Sequence, residues 1–494
     1  MFTIEFASAS PRPQVAYRGW LPLAACVALA LGGGAHAATI VVDSSATDSE
    51  AGKCTLVDAV AALDTKTAVN GCAAADGNND TIDLTGFKTP TTISFLQSTS
   101  GYGHALSFTN AASVVGARDA NGVPYVTIER SSASGVPDFG LIQTSAPLTI
   151  DGLTLRNGVT PSSYLGGAIR AGDTLIVRNS VITGNTSASA GGGIAGTSGV
   201  TLTNTTVSNN SAGNAGGGVY SSSTVTLVQS VVTGNSATSA TAKGGGIYSL
   251  KDISASNSTI SNNTSADTGG GLQSTSMVAL TNSTVTGNSA KSGGGAYATG
   301  GGASLTGSTM NGNTATYLGG AIHASVADLT NSTITGNTAG TGGGGIYAES
   351  VIASYATIAS NQTQAGGGGG VNFSVSMVAD GTIVFGNTPN DVDTQSQSVF
   401  DGSYDLVGTS VWGVPSGTLS CNPQLGPLAD NGGPTLTMAL LTGSCAIDAA
   451  STHPSESTDQ RGFARPAPPG GNADIGAYES GSSDASLIFA NGFE

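Results

Sequence analysis

The run Leu280-Thr281-Asn282-Ser283-Thr284-Val285-Thr286-Gly287-Asn288, with a Gly-Gly-Gly-Ala close at residues 293–296, decides the fold, because the chain repeats it about eight times. The fixed residue is an asparagine: Asn185, Asn210, Asn235, Asn263, Asn288, Asn313, Asn337 and Asn361. Successive gaps are 25, 25, 28, 25, 25, 24 and 24 residues. Three places before each asparagine stands an apolar residue, from Ile182 and Val207 through to Ile334 and Ile358, and eight before it a Leu, Val or Ala. A few residues after it comes a glycine run closed by a small or apolar residue, as in Gly191-Gly192-Gly193-Ile194. A fixed period of this size signals stacked repeats, each burying its apolar face against its neighbours.

Gly, Ser, Thr and Asn dominate each repeat, and all are poor helix formers. Short β-branched pieces bounded by Gly and Asn read instead as strands joined by turns. A repeat of this length holds three short strands and three bends. Stacking then pairs each strand with its copy about 4.8 Å away and turns the inward positions into ladders of Ile, Val and Leu. The asparagine suits a corner, since it tolerates left-handed backbone angles and identical Asn side chains bond along a stack. The glycine run permits a tight bend where β-carbons would crowd. The fold class is therefore all-β, a right-handed parallel β-helix over residues 148–390. An N-terminal cap with the first coils occupies 38–147, and a small disulfide-containing module occupies 391–480. A leucine-rich solenoid is excluded by its missing consensus, and a calcium-binding nonapeptide array by the absence of Asp from the glycine runs.

Charged residues make up 9% of the 494, and Lys plus Arg number 15 against 31 Asp plus Glu, a net −16. The first 37 residues hold Arg12, Arg18 and Glu5, net +1, which leaves −17 on the remainder. A nucleic-acid or anionic-membrane partner needs a basic footprint, so neither is expected. Residues 1–37 read as a secretory signal: the two arginines, an apolar core from Leu21 to Leu31, and the small-residue site Ala35-His36-Ala37, with cleavage before Ala38. Cys26 stands at the start of that core rather than after it, against lipidation. No other stretch is long and apolar enough to span a bilayer. Export suits the remaining cysteines, which fall in two local pairs, Cys54 with Cys72 and Cys421 with Cys445, and read as disulfides. Near the first pair, Leu56, Val60 and Leu63 make one side of a short helix, expected to cover the open end of the coils. Asp76, Asn78, Asp80 and Asp83 are spaced like a calcium loop, but Thr81 and Phe87 stand where Gly and Glu are required. No metal or cofactor is expected.

After residue 390 the composition changes. Two dense pieces, Asn422-Pro423-Gln424-Leu425-Gly426-Pro427-Leu428 and Asp459-Gln460-Arg461-Gly462, are followed by Asp474-Ile475-Gly476-Ala477-Tyr478-Glu479, a Ser-Gly linker and a tail at 481–494. These pieces resemble the choice-of-anchor Q domain. The segment Cys54 to Ala59 resembles the CSLREA motif, departing from it at Thr55, Val57 and Asp58. The coils are similar to the pectate-lyase-like fold and to the repeats of polymorphic outer-membrane proteins. The resemblance covers nearly all of the chain after the signal, and implies a secreted or surface-displayed protein without implying chemistry.

Enzymes acting on polysaccharides through this fold need clustered carboxylates on one face of the coils. The coil carboxylates Asp252, Asp267, Asp328, Glu349 and Asp380 contain no sequence neighbours, and Asp252/Asp267 and Asp328/Glu349 fall out of register. In the C-terminal module the candidates are Asp430, His453, Asp459, Arg461, Arg465, Asp474 and Glu479. There, arginine–carboxylate pairs fixing a loop-rich cap account for the pattern more economically than catalysis does. Outward threonines beside the inward apolar position, such as Thr206, Thr259, Thr284 and Thr333, form a hydroxyl ladder of the kind that matches ice or a glycan; β-propensity on a solvated face gives the same pattern. The expectation is a non-catalytic, secreted or surface β-helix acting in adhesion on a cell-surface glycan or protein. The alternative is a polysaccharide-active lyase or hydrolase.

Overall fold

The computed structural model describes residues 37–76, 79–98, 103–394 and 398–482. The signal segment up to residue 36 and the tail from 483 lie outside the described residues.

One regular coil consists of the strands Ile194–Gly196, Val200–Thr203, Thr206–Ser208 and Ser211–Ala212. Each pairs in parallel with its counterpart one coil on, through Ile194↔Val219, Leu202↔Leu227, Val207↔Val232 and Ala212↔Ala237. Three sheets result. A wide sheet takes the first two strands of each coil, a second sheet the third strand, and a narrow sheet the fourth. The regular coil thus carries four short strands where the sequence suggested three. At three of these breaks a serine supports the turn. Buried Ser221, Ser249 and Ser274 each accept a hydrogen bond from the backbone N–H two residues on (3.1, 3.1 and 2.8 Å), which folds the chain before it re-enters the wide sheet. Serine is not the deciding feature: Ala298 holds the same place and the strand still breaks into Ala296–Ala298 and Gly302–Thr306, whereas past Ala324 and Ala348, where the connection is shorter, one strand runs through as Ile322–Thr330 or Ile346–Ser354.

Alternation along every strand sends one residue inward, and the inward ladders are dry: Ile182, Val207, Val232, Ile260, Val285, Met310, Ile334 and Ile358 are all fully buried. The first glycine of each run takes a left-handed angle, as at Gly216 (φ 60°), and a β-carbon on the next, Gly217, would lie 2.2 Å from a carbonyl oxygen of the following coil. At the asparagine corner the left-handed residue is the one before the ladder position: Gly184, Asn209, Gly234, Asn262 and Gly287. The ladder asparagines turn inward and are buried, so their place rests on hydrogen bonding and not on tolerance of positive φ.

At the N-terminal end a helix, Leu56–Thr65, packs on the strands Thr39–Val41, Asp80–Leu84 and His104–Phe108. Thr55 caps it, accepting from Asp58 N–H while donating to the Asp58 carboxylate at 2.8 Å. Leu56, Ala59, Val60, Ala62 and Leu63 face the core, and Cys54 is joined to Cys72. Asp80, from the calcium-like spacing, is buried and accepts the Ala38 N–H at 2.7 Å. At the other end the coils run past residue 390. Val392–Thr394 and Val399–Ser403 pair with Val371–Asp380, and Leu406–Val407 with Ile383–Val384, because strand pairing does not require the Asn and Gly signature.

Candidate functional site

Three groups of side chains account for the polar chemistry of the coils. The first is the asparagine ladder. Asn288 Oδ1 accepts both the backbone N–H (2.9 Å) and Nδ2 (3.0 Å) of Asn263, and its own Nδ2 donates to Asn313 Oδ1 at 2.9 Å and to the Ile260 carbonyl at 3.0 Å. The pattern holds at Asn185, Asn210, Asn235, Asn263, Asn313, Asn337 and Asn361, and a further member stands at Asn387. It closes on Asp391, whose Oδ1 accepts Asn387 Nδ2 (2.8 Å) and whose Oδ2 accepts Thr409. A second buried ladder lies five residues before the first. Ser230, Ser258, Ser283, Ser308 and Ser332 each accept the backbone N–H of the previous coil's member. It too ends on a carboxylate, Asp405, which accepts Thr382 N–H at 2.9 Å. A carboxylate has acceptors only, so it terminates a chain of donors. Both ladders are internal and serve the fold.

The second group is the C-terminal module, carrying a short antiparallel pair, Leu425–Ala429 with Thr437–Leu440, and the Cys421–Cys445 disulfide. Its residues 435–477 lie against the outer face of the second sheet, while Ser410 and Leu419 continue the stack by pairing with Val392 and Leu406. Gln460 spans two coils, donating to Thr309 Oγ1 (2.9 Å) and accepting from Thr333 Oγ1 (2.6 Å), while Thr357 Oγ1 accepts Ala477 N–H. The threonine ladder is therefore covered at Thr309, Thr333 and Thr357 and open only on earlier coils. Within the module Arg461 pairs with Asp459 at 2.6 Å and is sandwiched between Phe463 and Tyr478, 4.5 and 3.8 Å from their ring centres. Arg465 pairs with Glu479 at 3.1 Å, lies 4.2 Å from the Tyr355 ring centre and donates to Asn331 Oδ1. Burial pushes Glu479 and Asp474 up and Arg465 down; the ion pair opposes the first and last shifts. Each guanidinium nitrogen of Arg461 and Arg465 donates within the protein, while His453 and Asp430 are exposed apart from this cluster. The module's charges hold it together and hold it to the coils.

The third group escaped the sequence reading. Two residues after each glycine run, one position on the outer face of the wide sheet reads Tyr220, Tyr248, Gln273, Tyr297, His323 and Tyr347 in consecutive register. The fixed offset from the glycines was its visible signal. Ring centres are 5.9 Å apart for Tyr220–Tyr248, 4.8 Å for Tyr297–His323 and 5.0 Å for His323–Tyr347, the last two edge to face. Gln273 interrupts the rings and accepts Gly244 N–H and Thr268 Oγ1. Burial lowers the His323 pKa to about 4, so its ring is neutral above that pH. Beside His323 and Tyr347 is a depression of about 250 Å³, also lined by Thr299, Ser325, Glu349 and Ser374.

The coil carboxylates stay apart. Asp267 pairs with Lys291 at 3.5 Å, Asp252 accepts Met277 N–H, and Asp328 stands in register between Ser304 and Ile352, where burial raises its pKa. Among the described residues no three His, Cys, Asp or Glu side chains converge as metal ligands do, and no helix is long and apolar enough to cross a membrane.

Residues 307–325 and 331–349, which carry Asn313, His323, Asn337 and Tyr347, match the Chlamydia polymorphic membrane protein repeat. The crystal structure of pectate lyase Pel9A aligns with 90% of this chain and 97% of its own at 13% identity, with a TM-score of 0.34. No curated protein matches the sequence. The chain is a parallel β-helix in which two coils are similar to polymorphic membrane protein repeats.

Proposed function

We propose that this is a secreted or surface-displayed, non-catalytic β-helix protein that acts in adhesion or surface interaction through the outer faces of its coils. The observation that carries this reading is the in-register stack itself, which sets outward side chains at one fixed spacing over many coils and includes the two repeats matched above. The secretory segment at 1–37 and the CSLREA-like Cys54–Ala59 support export. The choice-of-anchor Q-like pieces, with the tail at 481–494, support retention at the surface. In this reading the ion-paired module is a clasp that fastens the last coils next to that tail, and the partner is a cell-surface glycan or protein.

Fractionation of expressing cells, with and without residues 481–494, tests it. The full chain is expected with the surface fraction and the truncated chain in the medium. Full-length protein retained inside the cell, or an unchanged distribution on truncation, would sink the retention argument.

A further inference from the structure

We propose that the outer face of the wide sheet between Tyr297 and Tyr347 binds a strand of neutral glycan lying along the stack, one sugar ring to a coil. The proposal rests on the surface-interaction reading and names the partner for one face of it.

The first support is the pairing of residue types. On a strand, residues two apart share a face, so two coils here set an aromatic ring and a hydrogen-bonding group side by side, His323 with Ser325 and Tyr347 with Glu349; in the coil before, Thr299 follows the strand that carries Tyr297 and lines the same depression. The rings form one row along the axis and the polar groups a second row. Both rows border the depression beside His323. A sugar ring has the matching two-sided chemistry. Its C–H faces suit the negative face of an aromatic ring, and its hydroxyls suit a row of hydroxyls and a carboxylate. A purely apolar partner would leave the second row unpaired, which is costly once water is excluded.

The second support is the backbone. Upstream, a serine-supported bend breaks the wide sheet beside the aromatic position. The Tyr297 coil still breaks after Ala298, but in the next two coils the shorter connection lets Ile322–Thr330 and Ile346–Ser354 run through, so that His323 with Ser325 and Tyr347 with Glu349 each stand on one unbroken strand beside the depression. The repeat at the coil rise of about 4.8 Å is close to the length of one extended sugar unit. Charge selects within the class: among the described residues Glu349 is the only charged side chain lining the depression, which disfavours uronates, sulfated glycans and phosphates.

Calorimetric titration of the exported full chain with cellohexaose, xylohexaose, mannohexaose and hexagalacturonate tests the proposal. At least one neutral hexasaccharide is expected to give saturable binding, with hexagalacturonate weaker by about tenfold or more. Tyr347→Ala is expected to weaken the bound neutral sugar by about tenfold or more, and Tyr347→Phe to leave it nearly unchanged. Glu349→Gln, on the surface, reads the polar row without disturbing packing and is expected to narrow the gap between neutral and acidic sugars. No binding by any neutral hexasaccharide, tighter binding of hexagalacturonate, or full affinity in a folded Tyr347→Ala protein would overturn the proposal. Localisation is read separately: a surface protein that binds none of these sugars loses the glycan and keeps the surface reading, whereas sugar binding by a protein that never reaches the surface does the reverse.

Discussion

Asn288 makes its hydrogen bonds inside a core otherwise built of Ile, Val and Leu, and its neighbours in both coils depend on it. Replacing it with alanine leaves Asn263 N–H buried without a partner and removes the amide bonds to Asn263 Nδ2, to Asn313 Oδ1 and to the Ile260 carbonyl. Such a group costs about 1–3 kcal/mol and the lost bonds add to it, so Asn288→Ala is expected to destabilise by about 3–5 kcal/mol and lower the urea midpoint well beyond any surface substitution. Thr281→Ala, on the exposed outer face of the same coil, is the comparison; equal midpoints for the two variants would show that the ladder is dispensable. The sequence displayed this residue plainly, as the one letter that never varies. Its reason was less legible, because spacing alone does not separate an asparagine needed for its backbone angle from one needed for its amide. The Ser/Thr ladder was missed for a related cause: Ser230 and Ser258 sit among many solvent-facing serines and threonines of identical type, and only burial sets them apart.

The ladders behave as elements with a beginning and an end, and the ends differ in proton chemistry. Asp391 spends both oxygens on donors, whereas Asp405 Oδ2 is buried with no partner. Burial raises the Asp405 pKa to about 7; the Thr382 N–H opposes this and the Asp380 carboxylate adds to it. A carboxyl raised in the folded state favours folding while protonated. Its contribution is full below the unfolded value near 4 and is lost as pH rises through about 7. Asp405→Asn keeps an acceptor for Thr382 and removes the titration. Relative to the parent, its melting temperature is expected to rise between pH 4 and pH 8; a difference that stays constant over that range would assign the effect elsewhere. Reading elements from the sequence worked best where β-branched residues met Gly and Asn. It failed at the bends, where the length of the connection decides whether the strand breaks, as after Ala298, or runs through, as past Ala324 and Ala348. It also failed for the placement of the module, since Gln460 and Arg465 meet coil residues more than 100 positions away, at Thr333 and Asn331.

At the scale of the whole stack, stability is close to a sum of coil terms and neighbour contacts, so coils are removable in whole units. Excising residues 263–287 joins Asn262 to Asn288. The left-handed corner residue is then followed by a ladder asparagine, Ile260 lies three places before it, and Asn235 meets Asn288 in the amide ladder. A half-exposed ion pair, Asp267–Lys291, the Met277 N–H bond to Asp252 and the Gln273 interruption are lost, and the ion pair is worth little. With Gln273 gone, Tyr248 comes next to Tyr297 and the outer aromatic row becomes continuous from Tyr220 to Tyr347. This 25-residue deletion is expected to be exported and to unfold cooperatively within a few degrees of the parent. Deleting 263–274 alone, about half a coil, puts inward residues outward from there on and is expected to yield aggregated protein. Soluble, cooperatively unfolding protein from both deletions, or from neither, would show that the coil is not the unit of this fold.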